Sequence, residues 1–296
     1  MRRRRIVAAL ACGVGALAGC STTPRSVRET TPEPTPSPNV TTITETKSLP
    51  TPSGVSGRTA ARSFVETHER RYVYNELVGG FAGSHPAIDI AVEPARVAVA
   101  HATERGYYLL STCRGSARYY DPDGSPSTAT RNASSVAHFV GPNVHRRIPF
   151  NAYRCREPVV AASGTDGTDA PAARFQLYDF DSPPDYDQPE KGGRTVDVTV
   201  ADGDGATVLS REYRTSLPLT IQPHVTATPG TYTISASLTD GGSVEREWSL
   251  SESVDPSWWA LAVLVTNGGS LTVRTLYPND AVGLPSSTLC ERSDGR

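Results

Sequence analysis

A series of short apolar runs separated by glycine-rich turns constrains the fold of this chain more than any other feature. About eight such runs follow one another between residues 174 and 280, and most of them alternate apolar with polar side chains. A period of two is typical of a β-strand with one face in a core. Asp202–Gly205, Asp240–Gly242 and Asn267–Gly269 lie between neighbouring runs, where hairpins need positive φ. The pattern predicts an all-β sandwich over residues 174–280.

The first half of the chain has a different pattern, in which one helical segment precedes the strands. Residues 58–78 carry apolar and aromatic side chains at steps of three and four, which predicts one amphipathic helix. The period then changes to two at Val97, Val99 and His101, and further strand-like runs follow. We therefore expect an α+β domain over residues 57–162, with the helix packed on an antiparallel sheet.

The N-terminus has the features of an export signal. Four arginines precede an Ala- and Gly-rich apolar stretch, which ends in Leu17-Ala18-Gly19-Cys20. These four residues resemble the prokaryotic lipobox, and the resemblance implies that residues 1–19 are a cleaved signal peptide and that Cys20 carries a lipid. An ordinary signal peptide with an incidental cysteine is the alternative, and both the twin-arginine and the general secretory routes stay open. No apolar run reaches the roughly 18 residues of a membrane-spanning helix.

A Ser/Thr/Pro-rich segment follows the predicted lipid site. Of residues 21–56, 23 are Ser, Thr or Pro, and such a composition cannot bury a core. Pro-rich chain extends by about 3 Å per residue, so residues 20–56 are predicted to form a stalk at the outer face of the cell membrane. The arrangement resembles the surface lipoproteins of halophilic archaea. Asn39 and Asn132 each begin an N-glycosylation pattern and are candidate modification sites.

Charge is distributed unevenly along the chain. Residues 57–162 contain 13 basic and 9 acidic residues, whereas residues 163–296 contain 9 and 19. Such an asymmetry indicates two domains with different surfaces. We take the polar residues 163–173 as a linker, 174–280 as the sandwich and 281–296 as a C-terminal tail.

The arginines of the first domain form a candidate interaction surface. Tyrosines lie among them, a combination typical of surfaces that bind anionic polymers. Docking on the acidic second domain, or a plain solvated surface, is the simpler interpretation of these arginines. Tyr119, Tyr120 and Trp258 are the predicted ligand contacts, since an exposed aromatic ring can stack on a sugar. The arginines concerned are Arg114, Arg118, Arg131, Arg146, Arg147, Arg154 and Arg156.

Three cysteines remain after the leader and the lipid site, and none of them has metal-ligand spacing. Cys113 and Cys155 each end a predicted strand in the same segment. Because an exported chain meets oxidising conditions, we predict a Cys113–Cys155 disulfide. Pairing of Cys290 with either residue is the alternative that the sequence leaves open.

No sequence motif for catalysis is present. The chain lacks the Gly-x-Ser-x-Gly string of serine hydrolases, a phosphate-binding glycine loop and a His-Glu-x-x-His zinc helix. His101, His138 and His145 fall on strand-like runs and can be combined into a zinc or copper site, but strand histidines are more often core residues. We predict no catalytic residue, no metal site and no cofactor.

Five carboxylates lie close together between the first two strands of the predicted sandwich. A solvated acidic loop is the simpler interpretation, and a Ca²⁺ site is the alternative, because clustered carboxylates repel one another unless a cation screens them. The residues are Asp179, Asp181, Asp185, Asp187 and Glu190.

The sandwich resembles a known superfamily at one point. In Pro229-Gly230-Thr231-Tyr232 a tyrosine opens a strand after a glycine turn, as it does in the Ig-like superfamily. The resemblance implies an architecture and no activity. Together these features predict a lipid-anchored, outward-facing, non-catalytic binding or envelope module. Its expected partners are the membrane and a glycan or envelope protein, not nucleic acid; the alternative is an exported hydrolase with catalytic groups in residues 57–162.

Overall fold

The computed structural model describes residues 41–80, 86–121, 124–131, 135–150, 153–160, 173–181, 193–253, 259–275 and 290. Several predictions fall outside these residues. They concern the signal peptide, the lipid site Cys20, the sequons at Asn39 and Asn132, Trp258, most of the linker 163–173 and most of the tail 281–296. Within the described part of the chain, every helix is too short or too polar to cross a bilayer.

One helix and sixteen strands span the described residues. The helix, α1, is Arg58–Val78. The strands are β1 Asp89–Val92, β2 Arg96–Thr103, β3 Gly106–Thr112, β4 Gly115–Tyr120, β5 Pro126–Arg131, β6 Val136–Val140, β7 His145–Pro149, β8 Arg154–Cys155, β9 Ala173–Asp179, β10 Thr195–Ala201, β11 Thr207–Arg214, β12 Leu219–Thr226, β13 Gly230–Leu238, β14 Ser243–Leu250, β15 Ala260–Val265 and β16 Leu271–Thr275.

The strands form four sheets. The small sheet has the order β1-β4-β5, and the central sheet has the order β2-β3-β6-β7. The inner sandwich sheet is β16-β15-β9-β12-β8, and the outer sandwich sheet is β11-β10-β13-β14. Neighbouring strands are antiparallel except for two parallel pairs in the inner sandwich sheet, β9 with β15 and β8 with β12. The predicted order, a helix on antiparallel sheet followed by a β-sandwich, is confirmed.

Helix α1 has the bounds that the apolar periodicity predicts. Its buried stripe includes Phe64, Val65, Val73 and Leu77. This stripe packs against one face of the central sheet and against the small sheet, in a cluster that also holds Leu109 of β3. Burial of a side chain of this size stabilises the fold by about 1.5–3 kcal/mol, so the stripe fixes the helix on the sheets.

The opposite face of the central sheet packs on the inner sandwich sheet. Its buried side chains include Tyr108, Phe139 and Ile148, which meet Tyr178 of β9 and Leu264 of β15 in one apolar cluster. The two sandwich sheets enclose a further apolar cluster between them. The helix, the central sheet and the two sandwich sheets therefore form four successive layers, with an apolar seam between the first domain and the sandwich.

All eight strands predicted in the sandwich are present as β9 to β16. The predicted turns lie where expected, and Gly205 and Gly269 have φ of 82° and 74°. Trp259 is buried beside β15 and its indole N–H donates to the carbonyl of Ser251 over 3.2 Å. Short apolar runs, most of them alternating, and glycine turns between them were therefore sufficient to predict this part of the fold.

The last part of the predicted stalk, residues 20–56, lies on the folded domain. The backbone N–H of Lys47 donates to Asn75 Oδ1 of α1 over 2.7 Å, and Asn75 Nδ2 donates to the Lys47 carbonyl over 2.8 Å. Ile43 bridges Ala87, and the N–H of Gly57 donates to the Tyr107 hydroxyl. A Ser/Thr/Pro-rich composition predicts that a segment forms no core of its own, but it does not prevent the segment from packing on a neighbouring surface.

The predicted Cys113–Cys155 disulfide is wrong. Cys155 is bonded to Cys290, with a Cα–Cα distance of 5.5 Å, and Cys113 is a buried free cysteine. Cys113 lies in the cluster between α1 and the central sheet, whereas Cys155 and Cys290 pack against the cluster on the other face of that sheet. The central sheet separates the two thiols, so they cannot meet.

The division into two domains stays a prediction. The described residues show that the two segments share a core cluster, and that β8 of the first segment pairs with β12 of the inner sandwich sheet. Ala173, the last residue of the predicted linker, is already the first residue of β9.

Candidate functional site

A cluster of polar side chains lies buried between α1 and the central sheet, and we call it the histidine cluster. Helix α1 contributes two of its side chains, and strands β3, β6 and β7 contribute the others. The members are His68, Glu69, Ser111, His138, His145 and Arg147. His138 and His145 were among the candidates from the strand-like runs, whereas no sequence pattern had grouped the other members with them.

Glu69 is the negative charge at the centre of the histidine cluster. The guanidinium of Arg147 donates to both of its oxygens, with Nε to Oε1 at 2.9 Å and Nη2 to Oε2 at 3.0 Å. His68 Nδ1 donates to Oε1 over 3.1 Å. Burial raises the pKa of Glu69, but the hydrogen bonds from His68 and Arg147 outweigh burial and lower the pKa to about 2. The carboxylate is therefore ionised and its charge is balanced by the guanidinium.

His138 connects Ser111 to His145 through its two ring nitrogens. Ser111 Oγ lies 2.7 Å from Nε2, and His145 Nε2 lies 3.0 Å from Nδ1, so in each pair one atom donates and the other accepts. Burial lowers the pKa of His138 to about 3 and that of His145 to about 4. Both imidazoles are therefore neutral at pH 7, because burial removes the water that would stabilise a charged imidazolium.

Ser111 and His138 have the geometry of a nucleophile and its general base, which requires a hydrogen bond of about 2.6–3.2 Å. Both side chains are fully buried, with 0% exposure. A serine can attack a substrate only when its oxygen meets a cavity, and neither of the two open clefts described below is lined by Ser111 or His138. The arrangement thus resembles a catalytic pair chemically but occupies the position of a structural network.

His101 does not join the other histidines. A bulge between Val99 and His101 shifts the register of β2 against β3, so Val99 opposes Leu109 while His101 opposes Tyr108. Tyr108 faces the sandwich, and His101 there meets Arg274, with Nη2 and Nδ1 3.1 Å apart. His101 therefore cannot join His138 and His145 in one metal site, because one bulge reverses the face to which later residues of a strand point.

The predicted arginine surface does not form as one patch. Arg146 donates to the carbonyls of Phe180 and Asp181 in the sandwich segment, and Arg156 lies over the Tyr213 ring. These contacts favour the docking interpretation for those two residues. Arg147 belongs to the histidine cluster, and Arg131 pairs with Glu76 of α1, whereas Arg114 and Arg118 are exposed on the small sheet.

Tyr119 and Tyr120 are neighbours on β4 and are half-buried. Because successive side chains of a strand point to opposite faces, the two tyrosines cannot contact one flat ligand together. Their role as ligand contacts stays a prediction, as does that of Trp258, which lies outside the described residues.

The described acidic residues of the sandwich have protein partners. Asp179 accepts hydrogen bonds from the N–H of Asp181 over 2.7 Å and from the Thr215 hydroxyl over 2.5 Å. Asp181 accepts from Arg194 over 2.5 Å. Asp185, Asp187 and Glu190 lie outside the described residues. Among the described residues, no group of three His, Cys, Asp or Glu side chains has the arrangement of a metal site.

The described residues line a seam cleft and a basic cleft, which differ in charge. The seam cleft, of about 370 Å³, lies between the β2–β3 and β15–β16 turns and is lined by residues of both signs, including Glu104 and Arg105. The basic cleft, of about 600 Å³, lies beside α1. Its lining residues are Lys47, Thr67, Arg70, Arg71, Tyr74, Ile90 and Val92. The positive charge of the basic cleft gives it a preference for anions. The seam cleft has no such preference, because residues of both signs line it.

The two sandwich sheets include an Ig-like domain. More specifically, residues 193–280 match the halobacterial Ig-like domain family. The matched range contains β10 to β16, whereas β9 and β8, which complete the inner sheet, precede it. No curated protein and no solved structure matches the chain.

The sequence contained a signal for the histidine cluster that local periodicity did not reveal. His68 lies on the apolar stripe of the predicted helix, and Glu69 is the next residue on its edge. A carboxylate on the buried stripe of a helix needs a cation from another element. Arg147, 78 residues away in the sequence, supplies this cation. No local pattern specifies that pairing, because it depends on tertiary packing.

Proposed function

We propose that this protein is a lipid-anchored, outward-facing module of the cell surface that binds a ligand without converting it. The lipobox-like residues that end in Cys20 support the anchor, and the Ser/Thr/Pro-rich segment after them supports display away from the membrane. The Ig-like domain at residues 193–280 is consistent with a binding or surface module. A glycan or a protein of the cell envelope is the partner that such a location offers.

One observation carries the preference for binding over hydrolysis. The nucleophile–base pair of Ser111 and His138 is sealed between α1 and the central sheet, whereas the seam cleft and the basic cleft, both lined by described residues, are open to a ligand and do not include either side chain. Hydrolysis requires the reacting oxygen to lie within about 3–3.5 Å of the substrate. A binding module has no such requirement.

Cys20→Ser tests the anchor, because a lipid thioether cannot form on serine. We expect the variant in the soluble fraction of gently lysed cells and the wild-type chain in the membrane fraction. Cys12→Ser is the matched control, since Cys12 lies inside the predicted leader and is removed with it. Membrane retention of the Cys20→Ser protein at the wild-type level would refute the anchor.

A fluorophosphonate probe tests the hydrolase alternative. Such probes label serines that are both activated and open to solvent. We expect no labelling of the native protein at Ser111, measured by mass spectrometry of peptides. Labelling of Ser111 in the native protein that is lost in His138→Gln would contradict the proposed binding function and support an enzyme.

A further inference from the structure

We propose that the basic cleft binds an oligosaccharide that carries carboxylate or sulfate groups. The proposal rests on the proposed function, because it supplies the site and the ligand chemistry of the binding module. It concerns the surface beside α1, which the sequence analysis did not identify.

Three elements build the basic cleft. One wall is a stripe on the outside of α1, where Arg70 and Arg71 each lie three or four residues from Thr67 and from Tyr74. The facing wall is β1 of the small sheet, and the segment that carries Lys47 runs along the helix. The last part of the predicted stalk therefore completes the lining of the cleft with Lys47.

Lys47 is held in place by its backbone and by its side chain. Both backbone polar groups of Lys47 bond the Asn75 side chain. Its ammonium lies 3.7 Å from the centroid of the Tyr74 ring, a cation–π contact. A cation that is fixed before binding loses little side-chain entropy when it meets an anion, which favours affinity.

Arg71 is also preorganised, whereas Arg70 is free to adapt. Arg71 Nη1 donates to the Ser48 carbonyl over 2.6 Å, so one donor is occupied and the remaining donors of the guanidinium are open. Arg70 is exposed. Arginine donors match the planar geometry of a carboxylate and the oxygens of a sulfate.

No carboxylate lines the basic cleft among the described residues. The acids nearest along α1 are engaged elsewhere, Glu66 with Arg62 over 3.1 Å and Glu69 with Arg147. No carboxylate of the lining therefore competes with an incoming anion for the three cations. Complementary charge of this kind favours anionic ligands and speeds their association.

The other lining residues favour an anionic sugar over other kinds of anionic ligand. Ile90 and Val92 of β1 provide an apolar surface, which suits the C–H face of a sugar ring, and Thr67 and Tyr74 carry hydroxyls. A volume of about 600 Å³ is within the range of clefts that enclose small ligands. A flat lipid surface would instead be recognised by a protruding patch of cations, and nucleic acid by aromatic side chains available for stacking.

A titration with defined oligosaccharides tests the proposal. The wild-type full chain, purified in a non-ionic detergent, is titrated with hexagalacturonate, with a dextran sulfate oligomer and with neutral dextran of similar length. We expect saturable binding of at least one anionic oligomer at low salt and no binding of neutral dextran. Because the charges are solvent-accessible, affinity should fall as salt rises.

Charge variants locate the binding to the cleft. Lys47→Gln and Arg70→Gln should each weaken binding about tenfold, since each removes one charge-assisted contact. Arg118→Gln is the matched control, because Arg118 pairs across from Asp89 and thus lies on the face of the small sheet opposite Ile90. It should leave affinity within about twofold of wild type. Circular dichroism checks that each variant is folded.

Three outcomes would overturn the proposal. The first is that neither anionic oligomer binds. The second is that the Lys47→Gln and Arg70→Gln proteins bind the oligomer as tightly as the wild type does. The third is that soluble dihexanoylphosphatidylglycerol binds in a cleft-dependent way while the oligosaccharides do not bind. The last outcome would assign the cleft to a lipid headgroup. Because the titration uses purified protein, it is independent of the Cys20→Ser fractionation, so a failed ligand and a failed anchor are distinguishable.

Discussion

The two faces of the central sheet are stabilised by different physics. The face toward α1 buries an ionic and hydrogen-bonded network, in which Glu69 is balanced by Arg147 and His138 links Ser111 to His145. The face toward the sandwich buries apolar side chains and carries the Cys155–Cys290 bond at its edge. The same four strands thus present a titratable interface on one side and an apolar seam on the other.

The contrast shows how much of each interface depends on solution conditions. Apolar burial is non-directional and insensitive to pH, and a disulfide constrains the unfolded chain whatever the pH. A buried carboxylate needs its cation, and buried imidazoles need to stay neutral. The helix should therefore be the part that loosens first in acid, whereas the seam to the sandwich should hold.

Removal of the arginine partner of Glu69 should have the largest effect. Arg147→Met leaves a buried carboxylate without its cation, which typically costs about 3–5 kcal/mol in the free energy of unfolding. Urea denaturation measures the loss. The double variant Glu69→Gln/Arg147→Met should lose less than Arg147→Met alone, because the uncompensated charge is gone. Equal losses in the single and double variants would show that Arg147 acts through packing and not through charge.

Reduction of the disulfide should have the next largest effect, and on the other face. The bond joins residues 135 positions apart, and closing so long a loop stabilises the fold by about 4–5 kcal/mol in the chain-entropy description, with about 2–5 kcal/mol usually measured. We expect reduction to lower the urea midpoint by a similar amount at pH 5 and at pH 7. Non-reducing peptide mapping that links Cys113 to Cys155 or Cys290 would contradict the pairing.

Acid should weaken the helix-facing interface in a defined pH window. The pKa of His138 is about 3 and that of His145 about 4 in the folded chain, against about 6.5 when unfolded. The unfolded chain therefore binds more protons between about pH 4 and 6.5, so stability falls as pH falls through this window.

Within this window, His138 should lower the free energy of unfolding by about 1.4 kcal/mol for each pH unit of acidification. His145 should add a smaller loss, because it is partly exposed. The carboxylate of Glu69, with a pKa of about 2 against 4.5 in its ordinary state, adds a further loss below about pH 4.5. Urea midpoints from pH 4.5 to 7.5 measure the slope, and His138→Gln should reduce it. A flat profile in the wild-type protein would contradict neutral buried imidazoles.

A conservative change in the apolar seam should have the smallest effect. Ile148→Val removes one methylene from a side chain that is 2% exposed, and such changes cost about 0.5–1.5 kcal/mol. The loss should be the same at pH 5 and pH 7, measured by urea denaturation at both. A loss that grows in acid would mean that the two faces of the central sheet are coupled and would weaken the contrast between them.

Local patterns predicted the elements but not the contacts between them. Short, mostly alternating apolar runs with glycine turns between them were enough to predict strands β9 to β16. Apolar side chains at steps of three and four residues were enough to predict helix α1. Strands β1, β4 and β5 were missed, because polar residues such as those of Pro126–Arg131 give no apolar alternation. These short strands are defined by pairing with each other, which is tertiary information.

The sites depended on tertiary contacts even more strongly. Three cysteines allowed several pairings, and only the layer order shows that the central sheet separates Cys113 from Cys155. The bulge that redirects His101 leaves no trace in the alternation of its strand. The basic cleft needs the docking of Lys47 on α1, from a segment whose composition indicates only a stalk.

The most direct test of the central claim, binding without conversion, is one incubation of hexagalacturonate with the purified full chain, followed by mass analysis of the bound and the free oligosaccharide. The account predicts that the protein retains the hexamer at its original length. It also predicts that retention falls in Lys47→Gln and Arg70→Gln and is unchanged in Ser111→Ala, whose side chain is sealed from the cleft. Shortened products that disappear in Ser111→Ala would contradict the account and identify an enzyme.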